Sequence, residues 1–288
     1  PDNASNPKNI RWNIHVNLGQ LSINDAMVKD VLAPGLSLKE NSLEVYNLII
    51  NTDGTTKRGT KIDSPQYTYD EETKEIKVLL GNINKAYEIV YRTDIDYDEV
   101  SVEHGKLFTF ENSAKLVGTE NDIEKEYGEA NSTSTVKRGE IITKSGKNMS
   151  STSLKKIDWV IKVNEAEDTV YDRWDEDKSG DGLVFMKDTL KVYDKQNKLL
   201  KEGTDYTVLP GDDLEDGKGK YDFKVILKGR ITSSYTIKYS TKIQDHKYDE
   251  TVFKNAARIS WIPKEFGTGE GGPGSGEPGS GDPNKRIY

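Results

Sequence analysis

The chain contains no cysteine. Disulfide scaffolds and thiolate metal sites are therefore excluded, while the redox compartment stays open. Histidine is scarce too: His15, His104 and His246 are scattered and show no metal-ligand spacing. No apolar run approaches the roughly 18 residues of a membrane span, so membrane insertion of this segment is not expected. Positive charge is not in excess. Lys and Arg total 41 against 49 Asp and Glu, a net charge of -8, which argues against nucleic acid as a partner. Catalytic motifs are also missing. No Gly-x-Ser-x-Gly elbow occurs, and Gly217-Lys218-Gly219-Lys220 lacks the length and context of a phosphate loop. Neither an enzyme with turnover nor a cofactor is expected. No signal-peptide pattern opens the sequence, which fits a mature or excised segment.

What the chain does have is alternation. Hydrophobic residues make up only 33%, yet they fall at every second position. Ile10, Trp12, Ile14 and Val16 face one way, and Arg11, Asn13 and His15 the other. Ile157, Trp159, Ile161 and Val163 repeat the pattern. This is the signature of half-buried antiparallel strands. Similar runs occupy residues 43–50, 76–80, 87–93, 223–227 and 235–241, separated by turn clusters such as Asp53-Gly54. Helical periodicity surfaces only weakly, as a turn near residues 121–127.

The alternation is also duplicated. Ile10-Arg11-Trp12-Asn13-Ile14-His15-Val16-Asn17 answers Ile157-Asp158-Trp159-Val160-Ile161-Lys162-Val163-Asn164. Tyr87-x-Ile89-x-Tyr91-x-Thr93 answers Tyr235-x-Ile237-x-Tyr239-x-Thr241. Phe110-Glu111-Asn112-Ser113-Ala114 answers Phe253-Lys254-Asn255-Ala256-Ala257, and Lys29-Asp30 is matched to Lys187-Asp188. Blocks in the same order, twice, mean a duplicated domain rather than a solenoid unit. A chain of 288 residues holds two such cores. The expected fold is all-β, two β-sandwiches in tandem. Residues 1–118 form the first and 144–266 the second. Residues 119–143 read as a linker with a connecting strand, because the stretch is polar apart from a run near 133–142. Residues 267–288 are a Gly/Ser/Pro-rich tail, either disordered or a latch strand returning to a sheet.

These blocks resemble the collagen-binding-domain repeats of wall-anchored surface adhesins of Gram-positive bacteria. The resemblance rests on the Trp strands ending in Val-Asn, the Lys-Asp pairs, the Tyr-x-Ile-x-Tyr-x-Thr strands and Phe-x-Asn-x-Ala. It implies an immunoglobulin-like sandwich, an extracellular place on the cell wall, and a host matrix protein such as collagen as partner. The alternative is a stalk that holds some other binding tip away from the wall. The resemblance also implies a self-made Lys–Asn isopeptide bond with an acidic residue as catalyst. That reaction needs a neutral lysine, which burial favours, a carboxylic acid kept protonated to polarise the amide carbonyl, and reactants held in contact.

Carried onto this chain, the acceptor in the second domain is Asn255 and the acid is Asp188. The amine is Lys144, in the Lys-x-Gly context fifteen residues before Trp159; Lys155, with the strand parity of Trp159, is the alternative. In the first domain, Asp30 and Asn112 match acid and acceptor, but the position fifteen residues before Trp12 falls before residue 1: the amine is lost with an upstream strand, or is Lys8 or Lys285, and the default is no cross-link within the chain as given. Finally, the stretch with Asp175, Asp177 and Asp181 looks like part of a calcium loop. The position of its closing Glu is held by Met186, so the stretch reads first as a solvated acidic turn in an inserted loop, with calcium the alternative.

Overall fold

The structure, a computed structural model, describes residues 6–148, 155–211, 221–244 and 252–262; every regular element among them is a β-strand. The chain divides into two compact units, Pro1–Arg138 and Gly139–Tyr288.

The first unit contains β1 (Asn9–Val16), β2 (Ile23–Val31), β3 (Leu36–Leu38), β4 (Glu44–Ile50) and β5 (Thr56–Lys61). It continues with β6 (Gln66–Asp70), β7 (Glu75–Ile83), β8 (Ala86–Ile95), β9 (Leu107–Glu120) and β10 (Ile123–Lys137). One sheet runs β1-β8-β4-β5, with β3 also on β8; the other runs β10-β9-β2-β7-β6. Ile10, Trp12, Ile89 and Tyr91 from the first sheet pack against Val28, Ile76, Val78 and Phe110 from the second. This is a sandwich with one core.

The second unit contains β11 (Ile142–Asn148), β12 (Lys156–Val163), β13 (Val170–Ser179) and β14 (Leu183–Tyr193). It ends with β15 (Thr207–Pro210), β16 (Phe223–Ile231), β17 (Tyr235–Ile243) and β18 (Asn255–Ile262). Its sheets run β11-β12-β17-β14 and β15-β16-β13-β18. Trp159, Ile161, Ile237 and Tyr239 meet Phe223, Val225, Ala257 and Ile259 between them.

The repeated motifs have physical jobs. Trp12 lies opposite Tyr91 across the β1–β8 ladder, and Trp159 opposite Tyr239 across β12–β17. Each indole N–H is satisfied by the Thr that ends the tyrosine motif: Trp12 Nε1 donates to Thr93 Oγ1 at 3.0 Å and Trp159 Nε1 to Thr241 Oγ1 at 2.9 Å. A buried Trp needs such a partner. The Asn after each Trp strand turns the chain. Asn17 (φ 53°) and Asn164 (φ 56°) are left-handed, a conformation Asn tolerates. Their side chains accept the N–H of Leu21 and of Asp168, closing matching loops.

Two sequence expectations need correction. Residues 119–143 are not a linker. Most of them form the tip of β9 and the long strand β10, which pairs with β9 from Ile123↔Glu120 to Lys137↔Leu107 around a bulge at Glu126/Gly128. The first unit therefore extends to Arg138, and strand β11 opens the second at Ile142. The region near 121–127 is a turn into β10 rather than helical. The acidic stretch 175–179 is not a loop either: it lies within β13, paired with β16 and β18. The tail, 267–288, lies outside the described residues.

Candidate functional site

Period-two geometry brings the site together. Along β13, Arg173, Asp175 and Asp177 fall on the buried face. Asp177 thereby points into the core between the sheets. From the opposite sheet come Lys144 of β11 and Tyr239 of β17, and from the strand next to β13 comes Asn255 of β18. Lys144 Nζ donates to Asp177 Oδ2; the two side chains are 3% and 0% exposed. Tyr239 Oη donates to Asp177 Oδ1 at 2.7 Å, and Asn255 Nδ2 donates to Tyr239 Oη at 2.7 Å. The amine, the acid, a phenol and the amide thus form one chain of hydrogen bonds across the sandwich.

The aromatic residues complete the pocket around the amine. Lys144 Nζ sits 5.2 Å from the Trp159 ring and 5.5 Å from the Tyr239 ring. Gly146 lies opposite Trp159 in the β11–β12 ladder, with Lys144 opposite Ile161. The Lys-x-Gly spacing therefore sets the amine beside the indole and leaves room for it.

The electrostatics point one way. Burial pushes the Asp177 carboxyl up to about 6 against the pull of Lys144 and Tyr239, and burial pushes Lys144 down against the pull of Asp177. Both shifts favour moving the proton from ammonium to carboxylate, giving a neutral amine beside a carboxylic acid. The Asn255 Oδ1 is buried without a hydrogen-bond partner among the described residues. The phenol–acid pair faces the amide nitrogen, not the carbonyl oxygen as the sequence reading supposed.

The first domain repeats three of the four groups. Tyr91 Oη donates to Asp30 Oδ2 at 2.6 Å, and Asn112 Nδ2 donates to Asp30 Oδ2 at 3.1 Å and to Tyr91 Oη at 2.7 Å. Burial raises Asp30 to about 6, opposed by the hydrogen bonds from Tyr91 and Asn112. Asp30 Oδ1 and Asn112 Oδ1 are buried and unpartnered among the described residues. Among the described residues, no lysine joins them. Lys8 is exposed just ahead of β1, where its carbonyl accepts the Ile95 N–H. Lys285 lies outside the described residues.

Of the sequence candidates, Lys144 and Asn255 meet in one cluster, as do Asp30 and Asn112. Asp188 does not belong to either: it is exposed on β14, and Asp177 stands in its place. Lys155 is half-buried ahead of β12 and outside the cluster. The calcium reading does not hold in this arrangement. Asp175 pairs with the buried Arg173 at 3.3 Å and Asp177 with Lys144. No group of three metal-type ligands occurs among the described residues. The sequence did hold a signal for Asp177: it lies thirteen residues after Asn164, as Asp30 lies thirteen after Asn17. Tyr91 and Tyr239 stood in the repeated motif but had been given no role.

Two all-β sandwiches follow one another in the chain, each with an Asp–Tyr–Asn cluster between its sheets, and their class is immunoglobulin-like. The chain belongs to the collagen binding domain family, whose model matches residues 2–126 and 139–261. Among solved structures, it is similar to the collagen-binding subdomain of the Enterococcus faecalis surface protein ACE (17% identity, TM-score 0.31, covering 46% of this chain and 88% of that one). It is also similar to the collagen adhesin of Staphylococcus aureus (11%, 0.33, 88% and 81%) and to the collagen binding domain of the Erysipelothrix rhusiopathiae surface protein RspB (14%, 0.33, 89% and 83%). No curated protein matches the chain.

Proposed function

We propose that the chain is the matrix-binding part of a bacterial surface adhesin, displayed on the cell wall with collagen as its ligand. Its second domain is closed by an amide bond between Lys144 and Asn255. Family membership over both halves of the chain supports the adhesin reading. Binding to triple-helical collagen immobilised on a sensor, and not to a non-matrix control protein, is the expected result. No binding at high micromolar concentration would overturn it in favour of a stalk.

The single observation behind the cross-link is the unbroken contact chain Lys144–Asp177–Tyr239–Asn255. Asp177 takes a proton from the Lys144 ammonium, and the freed amine attacks Asn255 Cγ. The new C–N bond forms as the Cγ–Nδ2 bond breaks. Asp177 delivers that proton through Tyr239 to Nδ2, which leaves as ammonia, and then accepts the second proton that the lysine nitrogen sheds on becoming an amide N–H. Burial supplies the neutral amine and the protonated acid, and the fold supplies proximity, where orientation substitutes for high concentration. The reaction occurs once per molecule, with no turnover. Joined across the two sheets, Lys144 and Asn255 would close a loop of over a hundred residues. A cross-link of that span adds about 4–5 kcal/mol by the chain-entropy argument used for disulfides. Unlike a disulfide, it resists reduction. Intact mass under denaturing conditions tests it: the bond removes one ammonia, about 17 Da, and digestion should yield a Lys144–Asn255 linked peptide. An unshifted mass rules it out.

A further inference from the structure

The two sandwiches differ in the charge of one matching face. In the second domain, the outward positions of the sheet β11-β12-β17-β14 carry Lys147, Lys156, Lys162, Lys191, Lys238 and Lys242 against one carboxylate, Asp158. Trp159, Ile161, Val192 and Ile237 alternate with them and fill the core, so the strand period holds the lysines on the wet side. Two of the pairs stand directly opposed: Lys156 is the register partner of Lys242, and Lys191 of Lys238. Like charges placed so in an antiparallel ladder repel and cost stability. Relief within the face is partial. Asp158 takes Lys156 at 2.9 Å and accepts from Ser240 Oγ at 2.6 Å, and Lys162 reaches Glu165 at 3.0 Å. Among the described residues, no carboxylate pairs with Lys147, Lys191, Lys238 or Lys242. The first domain treats the same face differently. There Arg58 holds Glu88 at 2.6 Å, Lys61 holds Glu44 at 2.6 Å and Lys39 holds Asp94 at 3.3 Å. Through the repeat, Glu88 and Asp94 stand where the second domain has Thr236 and Lys242. The surplus is therefore not a property of the fold, nor of a chain whose net charge is -8.

We propose that this lysine face binds a sulfated polysaccharide chain of the host matrix. Concentrated positive charge on one face selects a polyanion, and binding one relieves the opposed lysine pairs. The geometry selects an extended polymer. From Lys156 to Lys162 the face runs about 20 Å at roughly 3.3 Å per residue, and its four strands lie about 5 Å apart. The charges thus form a flat band and not a pocket. The side chains select against nucleic acid. Tyr193 is the aromatic residue on the described part of this face, and Lys238 Nζ sits 4.6 Å from its ring, so bases find no free platform for stacking. The same part holds no arginine, which would grip phosphate through two parallel hydrogen bonds. Lysines offer compact charges on flexible stems, a match for sulfate groups scattered along a sugar chain. The choice of a matrix polymer rests on the adhesin reading above; the anionic specificity of the face does not.

The test uses the whole 288-residue chain and size-fractionated heparin immobilised on a sensor. Saturable binding is expected at about 50 mM salt, weakening about tenfold or more at about 300 mM as screening sets in. Desulfated heparin should not bind. Lys191→Gln with Lys238→Gln should weaken binding about tenfold, and Lys147→Gln with Lys242→Gln should do the same, a second pair in case the first disturbs the fold. Circular dichroism checks that both keep it. Lys39→Gln with Lys61→Gln, on the matching face of the first domain, should change affinity by less than about twofold. No saturable binding at low salt overturns the proposal. So does an equal loss in all three variants, which would mean bulk charge alone. Charge-matched duplex DNA bound as tightly would overturn it in favour of an unselective patch, and polyglycerol phosphate bound more tightly in favour of a wall polymer. Collagen binding is read on a separate surface, so the failure of the adhesin reading and the failure of this one are told apart.

Discussion

Gly146 lies directly across the β11–β12 ladder from Trp159, so close that a Cβ on it would stand 2.5 Å from the indole Cζ3. No real Cβ tolerates that distance from a ring atom. Trp159 is held from behind by its hydrogen bond to Thr241, so it has little room to yield.

Gly146→Ala should therefore shift the indole or lift β11, moving Lys144 away from Asp177. The expected cost is about 1–3 kcal/mol, typical of overpacking. A fraction of the protein should also remain at the uncross-linked mass. Fully cross-linked protein with unchanged stability would mean that Gly146 is not needed for the site.

The acid is tested by two substitutions. Asp177→Asn removes the proton carrier between Lys144 and Asn255 and should leave the mass unshifted. Asp188→Asn, on the exposed side of β14, should leave cross-linking complete. Tyr239→Phe keeps the ring against Lys144 but breaks the relay to Asn255, and should slow the reaction by a factor of about 100, in the range of general acid–base contributions. Mass spectrometry on freshly refolded protein follows all three; the reverse ranking of the two aspartates would sink the assignment.

Arg173 and Asp175 form a buried pair whose remaining polar atoms, Arg173 Nε and Nη1 and Asp175 Oδ2, lack hydrogen-bond partners among the described residues. The repeat puts Ala26 and Val28 at the same places of β2, both buried. Removing one charge strands the other. Asp175→Val alone should destabilise by about 3–5 kcal/mol, whereas Arg173→Met with Asp175→Val should be near neutral or stabilising. Denaturant unfolding of the three proteins separates these outcomes. A double variant as damaged as the single would mean the pair stabilises the fold beyond satisfying itself.

How much was legible follows from which faces are wet. Strands such as β1, β8, β12 and β17 bury one face in the core, so alternation betrays them. β10 is exposed along most of both faces, so nothing in its polarity separates it from a linker. β13 buries charged groups and so looked like a solvated turn. The same error displaced the acid. The Lys-Asp pair at Lys187-Asp188 recurs easily in a chain where charged residues make up 31%, while the thirteen-residue spacing from Asn164 reflects a strand and loop of fixed length. Lys144 and Asn255 were legible because Gly146 and the Phe-x-Asn-x-Ala pattern mark them. Their meeting was not, since it depends on two sheets closing on each other.

Asp30 offers the last prediction, a dependence on pH. Burial raises its carboxyl from 3.8 to about 6 in the folded chain, so the folded state holds the proton more tightly than the unfolded state. Stability then falls as pH rises through the window from about 4 to 6. It is greatest below the unfolded value, and the advantage is gone above the folded one. A shift of this size corresponds to about 3 kcal/mol across the window. Asp30→Asn keeps the shape and carries no titrating proton. Its first domain should match the parent near pH 4 and exceed it by about 2–3 kcal/mol at pH 7.5. Hydrogen exchange of peptides covering β2 and β9, at several denaturant concentrations, reports on that domain alone. Parallel pH profiles for the two proteins would show that the Asp30 carboxyl holds its proton no more tightly in the folded chain than in the unfolded one, leaving no protonated acid in the first domain near neutral pH.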